Sequence, residues 1–251
     1  MSQANPYAPS VTSGPPSGLR LVDSLFGGLT LLTAAALVGS LLFIAFVVPT
    51  EATMGIVQKI FYFHVPSAYA MYLGAAVCMV GSIGYLASGK QVWDSAARAG
   101  AEVAVVMGLM VLITGPLWAA KAWGVFWTWD PRLTTSLLSV LVYVAYVVLR
   151  TFTGGGDAEK KFAAALGILG AANLPIIHLS VRKWGGTHPQ VITGKGGGLT
   201  DPNMKLGLLF GFAAFTLLTV LLVWLRVRQD RAQARIDEAL DEASALGLVD
   251  D

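Results

Sequence analysis

Six stretches of this chain contain no Asp, Glu, Lys or Arg and are dominated by apolar residues: 25–48, 66–87, 103–120, 133–149, 162–181 and 206–225. Nothing else in the sequence restricts the fold as strongly. A helix needs about 20 mostly apolar residues to cross the hydrocarbon layer of a bilayer. Inside that layer the backbone finds no water to bond, so a spanning segment of this length must be helical. The runs 103–120 and 133–149 are the shortest. Charged residues make up only 13% of the chain, about half the usual share in a soluble domain, too few to cover a water-facing surface. The expected fold is therefore an all-α integral membrane protein with six transmembrane helices.

The segments between the runs divide the chain further. Residues 1–20 are rich in Pro, Ser and Gly and lack a basic n-region, which predicts a disordered tail rather than a signal peptide. Residues 21–226 form the six-helix unit. Residues 227–251 turn from basic to acidic, and Ile236 and Leu240 share a helix face, so a solvated helix is expected to prolong the last span. Six spans put both termini on one side. The even-numbered loops and the tails hold more of the 17 Lys and Arg than the odd-numbered loops, which predicts cytoplasmic termini. The single cysteine, Cys78, lies within an apolar run and has no internal partner. No C-x-x-C-H sequence occurs, so the chain does not attach a c-type haem to itself.

The unusual residues gather at one end of this topology. His64 precedes the second run, with Pro66 expected in the first turn of its helix. His178 lies near the end of the fifth run, after Pro175, which is expected to kink it. His188 lies in the following loop. The same face holds Trp118, Trp123, Trp127, Trp129 and Trp184, while Trp93 and Trp224 fall on the other. Imidazole is a good ligand for iron, zinc and copper. A haem asks for one or two axial ligands, flat apolar surfaces and cations for its propionates. Trp and Phe supply the surfaces, and Lys121, Arg132, Arg182 and Lys183 supply the cations. Zinc usually takes more Cys, His or carboxylate ligands. The set points to a flat, apolar, anionic metal ligand.

Simpler explanations stand beside this one. Tryptophans near membrane ends commonly form an interfacial belt, although three Trp and a Phe within seven residues exceed that pattern. Trp123, Phe126, Trp127 and Asp130 are spaced i, i+3, i+4, i+7, which predicts one face of a helix lying in the interface. Asp130 before Pro131 reads as an N-cap followed by Pro at the first helical position. His188, in a Gly-rich loop, is by itself an ordinary surface histidine, and His178 is equally a core histidine. Gly194-Lys-Gly-Gly-Gly198 departs from a phosphate-binding loop, with Pro189 and Gly196 where Gly and Ser or Thr are required, and reads as a connector.

The run W-G-x-F-W-x-W-D-P-R-L-T from Trp123 to Thr134 resembles the WWD motif of the haem-handling proteins of cytochrome c maturation. With F-H-V-P at the second span and N-L-P-I-I-H near the end of the fifth, the chain looks most like the CcmC family. The resemblance covers residues 58–205. It implies a protein of the bacterial inner membrane that holds haem b at the periplasmic face and presents it to the haem chaperone CcmE, beside CcmA, CcmB and CcmD. It also implies axial ligation by His64 and His188 and a periplasmic platform of Trp123, Gly124, Phe126, Trp127, Trp129, Asp130 and Arg132. Phe126 stands where many members have Trp, which removes an indole N–H donor, and Pro131 stands where some have Ala. T-H-P-Q replaces the more usual T-L-H-Q-like pattern, which leaves His178 as a competitor of His188. Such a protein binds and transfers haem and needs no acid-base residues of its own. The alternatives are a haem lyase acting directly on apocytochrome c and a haem transporter.

Overall fold

The computed structural model describes residues 17–152, 156–185 and 198–248. Seven α-helices account for most of them, and no named strand occurs among the described residues. They are α1 (Ser17–Phe46), α2 (Phe61–Ser88), α3 (Gln91–Trp123), α4 (Pro131–Phe152), α5 (Asp157–Ala172), α6 (Leu174–Trp184) and α7 (Pro202–Ala245), with a 3-10 turn at Ile56–Ile60 before α2. Six spans, the fifth shared by α5 and α6, are long and apolar enough to cross a membrane. The chain is a multi-pass membrane protein, as the apolar runs require.

The helices are longer than those runs. Helix α1 begins at Ser17, so residues 17–20 are helical rather than part of a disordered tail; residues 1–16 lie outside the described residues. Helix α3 has 33 residues, about 50 Å at 1.5 Å per residue, against a hydrocarbon layer of about 30 Å. Its first third carries charges that are paired laterally. Arg98 and Arg226 both bind the Glu102 carboxylate, at 3.2 and 3.0 Å. Asp94 meets Arg150 of α4 at 2.7 Å, and Arg150 also reaches Glu159 of α5 at 3.3 Å. Helix α7 runs for 44 residues and continues well past Leu225, the end of the charge-free run, as the spacing of Ile236 and Leu240 predicts.

Helices α2 and α3 share the most extensive contact in the bundle, and α2 also packs on α5 and α7. Small residues allow this. A Cβ on Gly74 would come within 2.8 Å of Ala104 N and Gly100 O, and one on Gly100 would collide with the Cys78 backbone. Close backbone approach through small residues is a common way for helices to associate where lipid removes the hydrophobic drive. The fifth span breaks at Asn173, which closes α5 and opens α6, with Pro175 in the first turn of α6. The predicted kink is thus a break. Asn173 Nδ2 donates to Thr135 O at 2.8 Å and Ser139 Oγ at 2.7 Å, which ties the break to α4.

Candidate functional site

His64 lies inside α2 and not ahead of it. The chain enters α2 directly from the 3-10 turn, and Ile60 and Phe61 are already helical. Pro66 is correspondingly inside the helix rather than at its first position. Its ring packs towards Gly211, where a Cβ would stand 2.8 Å from Pro66 Cγ. The half-buried His64 imidazole leans on α3. Its Nδ1 is 2.9 Å from Thr114 Oγ1, and a Cβ on Gly115 would lie 3.2 Å from its Cε1. A side chain at position 115 would press on the ring, so glycine gives the imidazole its place.

The tryptophan segment has a different shape from the one its spacing predicts. Helix α3 stops at Trp123, because Gly124 takes the left-handed conformation at φ 74° and its N–H caps Ala120 O. Residues 124–130 are irregular, so Trp123, Phe126, Trp127 and Asp130 do not share a helix face. Trp118 and Trp123 meet edge to face at 6.0 Å, and Trp127 and Trp129 do so at 5.6 Å with planes 79° apart. The rings make corners rather than one continuous shelf. Trp118 Nε1 donates to Gln58 Oε1 of the 3-10 turn at 3.2 Å. Phe126 and Trp129 are exposed. Trp127 Nε1 and Thr128 Oγ1 are buried and find no partner among the described residues.

The chain re-enters helix at α4 as read from sequence. Asp130 Oδ1 accepts from Leu133 N–H at 2.9 Å, and Asp130 O from Thr134 N–H at 3.0 Å, so Asp130 is the N-cap and Pro131 the first helical residue. Arg132 follows, with Nε donating to Ile177 O of α6 at 3.4 Å. Its guanidinium is close enough to His64 and Tyr72 to act on both electrostatically. His64, Arg132, the aromatic segment and the start of α6 therefore stand at one end of the bundle. His178 is exposed on α6, on the side away from buried Ile177 and Ser180. Lys121 and Lys183 are also exposed. His188, the side chain of Arg182 and residues 194–197 of the Gly-rich connector lie outside the described residues.

The profile of the CcmC family, described as heme exporter protein C, matches residues 10–241. The chain belongs to the heme exporter protein C family. It is 33% identical over 189 residues to heme exporter protein C of Bradyrhizobium diazoefficiens, covering 75% of this chain and 72% of that protein. It is 32% identical over 181 residues to heme exporter protein C of Escherichia coli K12, covering 72% and 73%. A putative cytochrome c biosynthesis ccmC-like mitochondrial protein of Marchantia polymorpha is 28% identical over 210 residues, covering 84% and 88%.

The residues of this chain fit an iron porphyrin chemically. An imidazole stands at the membrane end with one nitrogen already engaged, and a guanidinium suited to a carboxylate lies nearby. Two buried donors in the aromatic segment lack partners among the described residues, a state that calls for an explanation in a native fold. Three contributors escaped the sequence reading. Thr114, Gly115 and Gln58 carry no motif of their own; they matter through contacts 50 and 60 residues away in the chain, which local spacing does not reveal.

Proposed function

We propose that this chain binds haem b at the end of the bundle that carries His64 and presents it to a haem chaperone of the CcmE type. His64 is one axial ligand and His188 the other, with His178 as the alternative second ligand. Trp123, Gly124, Phe126, Trp127, Trp129 and Asp130 shape the surface against which the porphyrin rests, and Arg132 binds a propionate. CcmA, CcmB and CcmD are its partners in the same system. The site faces the periplasm of a bacterial inner membrane, both termini are cytoplasmic, and residues 21–226 form the haem-handling unit.

The observation that carries this reading is the placement of His64, braced by Thr114 and within electrostatic range of Arg132 at one membrane end. Haem presented there needs orientation more than chemistry. Ligation fixes the iron, a guanidinium fixes the propionate edge, and the aromatic corner fixes the plane, leaving a vinyl edge for the partner. The protein supplies geometry, which accords with the family's description and asks for no acid or base of its own. The test is the absorption spectrum of the purified protein. His64→Ala should lose or greatly weaken the Soret band of bound haem, and an unchanged band would remove His64 from the ligand set.

A further inference from the structure

We infer that Thr114 is a positioning residue that holds the proton of the His64 imidazole on Nδ1, so that Nε2 presents its lone pair to iron. The inference rests on the reading of His64 as a ligand and adds the group that prepares it.

Hydrogen-bond accounting carries the argument. Thr114 Oγ1 lies 2.6 Å from Met110 O and 2.9 Å from His64 Nδ1. A carbonyl oxygen only accepts, and a hydroxyl has one proton to give. That proton goes to Met110 O, the i−4 carbonyl of the same helix, in the back-bonded arrangement open to threonine. Thr114 Oγ1 is then left with lone pairs alone, and it accepts from His64. The imidazole must carry its proton on Nδ1. A neutral ring holds one proton, so Nε2 is a bare acceptor, the form in which histidine ligates a metal. Metal-binding histidines are commonly fixed in this way, the second nitrogen donating to an oxygen that sets ring orientation and raises ligand basicity.

The rest of the local sequence serves the same contact. Gly115 leaves the clearance in which the ring lies against α3. Pro116 lies within the same helix and has no N–H to offer Leu112 O, which loosens the turn that displays Thr114. The close approach of α2 and α3 at Gly74 and Gly100 keeps the two helices at the separation that a 2.9 Å hydrogen bond between them requires. The neutral histidine side chain in water prefers the proton on Nε2. The contact therefore changes which nitrogen is presented, and this distinguishes a positioning role from mere packing.

The test reads the tautomer directly in haem-free protein. The chain has only three histidines, so 15N-histidine spectra of the purified protein at neutral pH, with His64→Gln for assignment, resolve the His64 ring. The parent protein should show a protonated Nδ1 and an unprotonated Nε2. Thr114→Val, which keeps the shape and removes the acceptor, should shift the ring towards the Nε2–H form, and Thr114→Ser should restore the parent pattern. In a parallel haemin titration, Thr114→Val should bind about 10- to 100-fold more weakly, the usual effect of removing such a support, with Thr114→Ser close to the parent. A parent ring protonated on Nε2, or a Thr114→Val protein with the parent's tautomer and affinity, overturns the inference. A His64→Ala protein that holds haemin as tightly as the parent overturns the ligand reading instead, whatever the tautomer.

Discussion

At the scale of single residues, the site depends on side chains that carry more than one contact. Arg132 is the clearest. Its Nε donates to Ile177 O, which orients a planar fork of the kind that suits a carboxylate. Hydrogen bonds to charged groups contribute about 1.5–3 kcal/mol, so Arg132→Gln should weaken haem binding about 10- to 100-fold, measured by haemin titration in detergent. Arg132→Lys should recover only part of this, because an ammonium lacks the fork. Haem affinity in Arg132→Gln equal to the parent's would detach Arg132 from the propionates. Residue identity alone disclosed Asp130 and Pro131, whose geometry is local, and His64, whose chemistry is rare in such a chain. It could not disclose Thr114, which looks like any helical threonine until α2 lies against it.

At the scale of elements, two sequence expectations met physical limits. Position 103 looked like the start of the third span because Glu102 is charged. Helix α3 starts twelve residues earlier, since Asp94 and Glu102 are neutralised by arginines of other helices and Arg98 pairs with Glu102 one turn on, and charge within one element says nothing of charge across it. The i, i+3, i+4, i+7 spacing of Trp123, Phe126, Trp127 and Asp130 failed for a local reason. Gly124 ends one helix and Asp130 begins another, leaving too few residues between them for a stable helix. The contact of α2 with α3 invites a direct comparison. Gly100→Ala should destabilise the protein by about 1–3 kcal/mol through overpacking. Gly39→Ala in α1, where a Cβ would meet nothing within 4 Å, should be neutral or raise stability by about 0.5–1 kcal/mol. Thermal unfolding in one detergent measures both. Equal melting temperatures would show that the helices have room to spare.

At the scale of the molecule, the two ends of the bundle do different work. One end gathers His64, Arg132 and the aromatic corners. The other is fastened by Arg150, whose side chain is 5% exposed between Asp94 and Glu159. Removing one partner of a buried ion pair strands the other and costs about 3–5 kcal/mol. Arg150→Met should therefore lower the melting temperature sharply, while the protein that does fold should show the parent's haem spectrum. A shifted Soret band in that variant would mean that the ends are coupled. Six spans were legible in the sequence because lipid leaves helices no alternative, and the placing of His64 and the aromatic segment at one end followed from the number of spans alone.

The core at the α2–α3 contact also contains the chain's lone thiol. Cys78 has no solvent exposure, and Gly100 and Gly167 close around it. A maleimide dye offered to the intact protein consequently finds no native target, so a cysteine engineered on either surface reports its own sidedness without background. The same dye becomes a gauge of integrity when the sample is warmed, because its reaction marks the temperature at which the packing between these helices opens.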